Sequence, residues 1–170
     1  MSKRRERKAM AAWEVQTRVW ATEEAGRLVL TVYGRKAIPV PTYTVGLVAR
    51  AGEDVWVETH ARLVQEHVET PGFDPGVPSP YRPWLVTSDR LVGRIGTGQL
   101  LEWRWQNIAG CRVDLAPGRE WMSFDMNDGA RPTWTGAGLA PMAVLSVAMT
   151  YGWRALVDHP GLERLRMRPE

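Results

Sequence analysis

The chain has 170 residues, 44% of them hydrophobic and 24% charged, with a formal net charge of +3. That length suits one domain with a substantial core plus one appendage, and the composition is that of an ordinary globular protein. The modest charge gives only a weak pull toward acidic partners, and the single cysteine, Cys111, excludes a disulfide framework or a cysteine-based zinc site within one chain. Nine tryptophans are many for this length, so some are expected in the core and others at surfaces that make contacts. The positive charge is mostly arginine, with lysine only at Lys3, Lys8 and Lys36, which fits a GC-rich genome of actinobacterial or phage type.

Residues 2–34 read as an appendage. Lys3, Arg4, Arg5, Arg7 and Lys8 form a basic arm, a candidate for meeting nucleic-acid phosphates or anionic lipid heads. The plainer alternative is a solvated terminus that aids solubility. A mixed segment follows the arm rather than the apolar stretch of a secretory signal. Good helix formers dominate it, and Trp13 and Trp20, seven apart, would share one helical face. Both are candidate partner contacts. Residues 28–33 are β-prone, so the segment is either one helix or a helix and a strand. Ile38, Pro39, Val40 and Pro41 then break the chain, which places an appendage at 1–37, dispensable for folding, and the main domain at 38–170.

After a turn at 51–54, residues 55–66 alternate as a half-buried strand. Val55, Val57, Thr59, Ala61 and Leu63 form one face, and Trp56, Glu58, His60, Arg62 and Val64 the other. Trp56, opposite the inward face, is a third candidate partner contact, expected to be solvent-accessible. Residues 70–83 hold too many prolines and glycines for regular structure. Strands are expected at 84–88, 90–95, 99–105, 107–115, 121–126 and 131–135, with a bulge at Gly110 and a hairpin turn at Asn127-Asp128-Gly129. Trp103 and Trp105 would share one strand face, with Arg104 on the other. Pro141 suits the first turn of a helix running from 140 to 157. Its apolar character admits a membrane span, but the uncharged stretch is short for one, and a helix buried against the sheet is the better reading.

Trp84-Leu85-Val86-Thr87-Ser88-Asp89-Arg90-Leu91-Val92-Gly93 resembles the start of bacterial pleckstrin-homology-like and GRAM-type domains. These carry a leucine–Thr–Asn/Ser–x–Arg–Leu strand pair, and Leu85, Thr87, Asp89, Arg90 and Leu91 stand in the matching places. Residues 101–108 resemble the next strand of that pattern, and 51–55 the approach to its first strand; the likeness spans 45–157. It implies an α+β, mostly β fold: a curled antiparallel sheet or barrel of about seven strands capped by a C-terminal helix. Such folds serve as scaffolds that bind lipid, peptide or protein surfaces. A lipid-binding member would have a basic cluster near its first strand loop. Here 66–82 carries Glu66, Glu69 and Asp74 against Arg82 alone, which argues against phosphoinositide binding there.

No chemical motif stands out. His60, His67 and His159 are scattered, 125–129 lacks the spacing of a calcium loop, and Gly93, Gly96 and Gly98 precede no Lys-Ser/Thr. Ser88 and Ser123 lie on no nucleophile elbow. No catalytic residue, metal ligand or cofactor is therefore assigned. The expectation is a cytoplasmic, non-catalytic module that contacts a protein or peptide, at the inner membrane surface if the arm meets lipid. The alternatives are a nucleic-acid-associated protein using the arm, and an enzyme with an unrecognised site.

Overall fold

The computed structural model describes residues 3–33, 49–64, 80–95 and 98–166. The predicted boundary at 38–41, most of the proline-rich stretch, His67 and the turn at 96–97 lie outside these residues.

The fold is α+β: an N-terminal helix, a curled antiparallel seven-stranded half-barrel and a C-terminal helix. The elements are α1 (Lys3–Tyr33), β1 (Val55–Val64), β2 (Arg82–Thr87), β3 (Arg90–Ile95), β4 (Gln99–Arg104), β5 (Ile108–Asp114), β6 (Trp121–Met126) and β7 (Thr133–Thr135). After them come α2 (Ala140–Tyr151) and the short α3 (Ala155–Asp158) and α4 (Glu163–Arg166). Strand order is β4-β3-β2-β1-β7-β6-β5, so β1 is central, pairing with β2 along one part of its length and β7 along the other. The edge strands β4 and β5 are consecutive in the chain, joined by a 3-10 turn at Trp105–Asn107.

Alternation in β1 works as expected: Val55, Val57, Thr59, Ala61 and Leu63 are buried, and their neighbours are not. The concave face of the sheet holds an aromatic cluster. Trp134 contacts Trp84, Trp103 and Phe124 with ring centroids 5.7, 4.9 and 5.1 Å away. Gly93 makes room for it, since a Cβ there would overlap the Trp84 ring. α2 lies in this core: every residue from Ala140 to Ala148 is buried, which explains why its polar face is missing.

Several boundaries differ from expectation. The C-terminal helix ends at Tyr151, because Gly152 leaves helical geometry at φ 85° and the chain turns before α3. β2 starts at Arg82, so Pro83, opposite His60 in the register, belongs to a strand and not to the preceding loop. Trp105 does not share a strand face with Trp103. It opens the 3-10 turn, buried, with its indole N–H donating to the Thr87 carbonyl at 2.9 Å. The register shift between Ile108 and Gly110 is the expected bulge.

α1 is one uninterrupted helix through Tyr33, so no strand forms at 28–33. It packs mainly on α2, and Ala21, Ala25 and Leu28 are fully buried in the same core as the sheet. The small side chains of Ala21 and Ala25 let the two helices approach closely. Packing of this kind runs against the expectation that the N-terminal segment is dispensable for folding. Its first turns are different, for every residue from 3 to 12 is exposed.

Candidate functional site

The outer face of β1 and one flank of α1 enclose an open groove of about 540 Å³. Trp13, Gln16, Thr17 and Trp20 line it from the helix, and Glu58 and His60 from the strand. The helical repeat places Trp13 and Trp20 on one face about 10 Å apart along the axis. The strand repeat places Trp56, Glu58 and His60 in one row spanning about 13 Å. Trp20 remains 43% exposed, so a large ring is offered to solvent at the groove.

Polar contacts hold the far end of the groove. Trp13 meets the Tyr81 ring edge-on, centroids 4.7 Å apart. The Tyr81 hydroxyl donates to Glu14 Oε1 at 3.0 Å, and the Arg62 guanidinium lies 4.2 Å over the Tyr81 ring and 3.5 Å from the same carboxylate. Burial, followed by the hydrogen bond to Glu14, raises the Tyr81 phenol, so it stays a neutral donor. At the other end Trp56 packs edge-on against Trp153, centroids 5.9 Å apart. It is half-buried, not freely exposed as the strand pattern suggested, because the chain beyond α2 lays Trp153 over it. Trp153 itself is 39% exposed and takes over part of the aromatic surface expected of Trp56.

Of the residues singled out from sequence, Trp13 and Trp20 thus meet in the groove, and Trp56 extends the strand row beside it. Lys3, Arg4, Arg5, Arg7 and Lys8 are not part of this site; they occupy the exposed first turns of α1. His159 stacks on Tyr151 with centroids 5.8 Å apart and accepts from the Gly161 N–H, far along the chain from His60. Cys111 is 1% exposed, and burial pushes its thiol up, away from nucleophilic use. Among the described residues no cluster of three metal-ligating side chains occurs, and no helix is long and apolar enough to cross a membrane.

Sequence reasoning missed the pairing of Arg18 with the buried carboxylate of Glu120, and a larger charged constellation on the sheet side. Arg90, 3% exposed, donates to both Glu53 oxygens at 2.8 and 3.0 Å and also to Glu102. Glu53 further accepts from the Thr87 hydroxyl at 2.6 Å and the Arg50 backbone N–H at 2.7 Å. Burial alone raises the Glu53 carboxyl, but these donors outweigh it and bring it down to about 2. With its donors and acceptors satisfied inside the protein, the cluster ties the turn before β1 to the β2–β3 hairpin and to β4. It is a structural lock, not a ligand site. No local spacing announces it, since Glu53 and Arg90 are 37 residues apart.

No protein-family model matches the chain, and no curated protein matches it in sequence.

Proposed function

We propose that this protein is a non-catalytic binding module of pleckstrin-homology-like type, which receives an extended protein or peptide segment in the groove between α1 and β1. One observation carries the reading: two tryptophans on a helix face a strand row of Glu58 and His60 across an open groove. Indole rings offer large contact area with few rotors to immobilise, which is why they dominate binding energetics at protein contacts. The curled seven-stranded sheet followed by α2 supports the family resemblance.

Selection of peptides from a displayed random library on the immobilised protein tests this. Enriched peptides should bind the parent and bind Trp20→Ala at least about tenfold more weakly, roughly 1.4 kcal/mol. Failure to enrich any peptide, or binding indifferent to Trp20, overturns the assignment. So does reproducible turnover of an ester, phosphate or nucleotide substrate. A second reading, phosphate binding by the arm, is favoured by the exposure of Lys3, Arg4, Arg5, Arg7 and Lys8 with only Glu6 among them. It predicts association with DNA or anionic vesicles that weakens steeply with salt.

A further inference from the structure

α1 is apolar on more sides than its own fold uses. One face, carrying Ala21, Ala25 and Leu28, is buried at 0% exposure. A second flank, Trp13 to Trp20, borders the groove. On the helical repeat, Ala12, Val15, Val19 and Leu30 line up on a third side, roughly opposite the buried one. There Val15 is 58%, Val19 54% and Leu30 75% exposed. Isolated exposed apolar residues are ordinary, but this row recurs along the helix and nothing among the described residues covers it.

Gly26 stands beside the row. It lies in the interior of the helix, where glycine costs about 1 kcal/mol relative to alanine. A Cβ built there meets nothing within 4 Å, so packing among the described residues does not explain the glycine. An empty lane on a helix surface suits the close approach of a second helix.

We propose that two copies of this chain pair through this outer face, their α1 helices antiparallel. Charge selects the occupant and the direction. The first turns carry Lys3, Arg4, Arg5, Arg7 and Lys8, while the outer side of the second half carries Glu23. Parallel pairing would set the basic turns against each other. Antiparallel pairing centred between Val15 and Val19 sets Val15 of each copy against Val19 of the other. It also brings Lys8 over the Gly26 lane to Glu23 of the second copy, and basic turns beside the negative end of the facing helix. The contact is self-complementary, as a two-fold interface must be. It uses a different side of α1 from the groove, so both surfaces can be occupied at once, and it does not depend on the peptide-binding reading.

Sedimentation equilibrium of the full chain tests the pairing. The expected mass rises with concentration from 19.2 kDa toward twice that value. Val15→Glu/Val19→Glu and Gly26→Leu should each weaken the dimer at least tenfold while helical circular dichroism and the thermal midpoint are kept. Gly26→Leu is the more telling variant, because it favours the helix itself while blocking the lane. Lys8→Glu and Glu23→Lys should each weaken pairing, and the double swap should restore it, which a parallel arrangement would not do. A chain that stays monomeric at every concentration overturns the proposal. A dimer indifferent to both the valine and the Gly26 variants overturns it as well. If the monomer instead binds phosphatidylserine vesicles and loses them on Val15→Glu/Val19→Glu, the face belongs to a membrane and the proposal falls.

Discussion

α1 and α2 are the two main helices of the same core, and they use their residues in opposite ways. α2 has 12 residues, and the nine from Ala140 to Ala148 are all buried. α1 has 31 residues, and among those whose burial is described only Ala21, Ala25 and Leu28 are fully buried. α2 is held by packing on every side, so almost every position in it is set by volume and polarity. α1 is anchored by Ala21, Ala25 and Leu28 in its second half and, before them, by the contacts of Trp13 and Glu14 with Tyr81 and of Arg18 with Glu120, and its exposed sides are available for other molecules. The Trp13–Trp20 flank and the Val15–Val19 side belong to that available surface. Where a helix is over-determined by packing, its sequence reports the fold; where it is lightly anchored, its sequence reports contacts.

The contrast can be broken most severely in α2. Leu145→Asp places an unpaired charge in the core and is expected to abolish the cooperative urea transition, while Leu145→Ala should cost about 2–5 kcal/mol. A Leu145→Asp variant that unfolds like the parent would mean that α2 is not the packed partner. Next comes the charge lock on the sheet side. Arg90→Met strands Glu53 without its partner and should cost about 3–5 kcal/mol at neutral pH. The sign of the acid response follows from the depressed Glu53 carboxyl. Its contribution is complete above about pH 4.5 and is lost as pH falls toward about 2. Thermal midpoints measured through that window should fall less steeply in Arg90→Met than in the parent.

Smaller effects separate the two halves of α1. Leu28→Ala should cost about 2 kcal/mol, the low end for a leucine truncation, since a helix held by few contacts can settle into the space. Removal of residues 1–12 should change stability by no more than about 0.5 kcal/mol in a denaturant titration, because all those residues that are described are exposed. If that truncation costs as much as Leu28→Ala, the first turns are anchored after all and the division of α1 fails.

The sheet was largely legible because its signal is local. Val55 to Leu63 alternate over a whole strand, and Trp121 to Met126 are bounded by turns on both sides. The start of α2 was marked by Pro141, but its end was not. Gly152 is followed by Trp153, Arg154, Ala155 and Leu156, which read as more helix, and only the backbone's turn at Gly152 stops it. The anchoring of α1 was hidden for a related reason. Its buried face is made of Ala21 and Ala25, small residues that carry almost no hydrophobic contrast against the exposed valines. The shared face of Trp13 and Trp20 follows from their spacing alone. Their meeting with Glu58 and His60 does not, because the two walls of the groove are separated by a stretch of chain whose path no periodicity encodes. The Arg90 lock was unreadable for the same reason.

The 3-10 turn at Trp105–Asn107 has a consequence for how this protein behaves when damaged or rewired. It joins the two outermost strands, β4 and β5, and it is pinned at several points. The Trp105 N–H donates to the Asp89 carbonyl at 3.2 Å, its indole to Thr87, and the Asn107 carbonyl accepts from the Asn127 N–H at 2.9 Å. Three residues thus act as a clasp that holds the ends of the two edge strands to the body of the sheet, and edge strands that come loose offer unpaired backbone to neighbouring molecules. A proteolytic nick or a circular permutation opened within this turn would release both edges together. Such a chain should aggregate during refolding, while one opened in the exposed turn at Asn127–Gly129 should not.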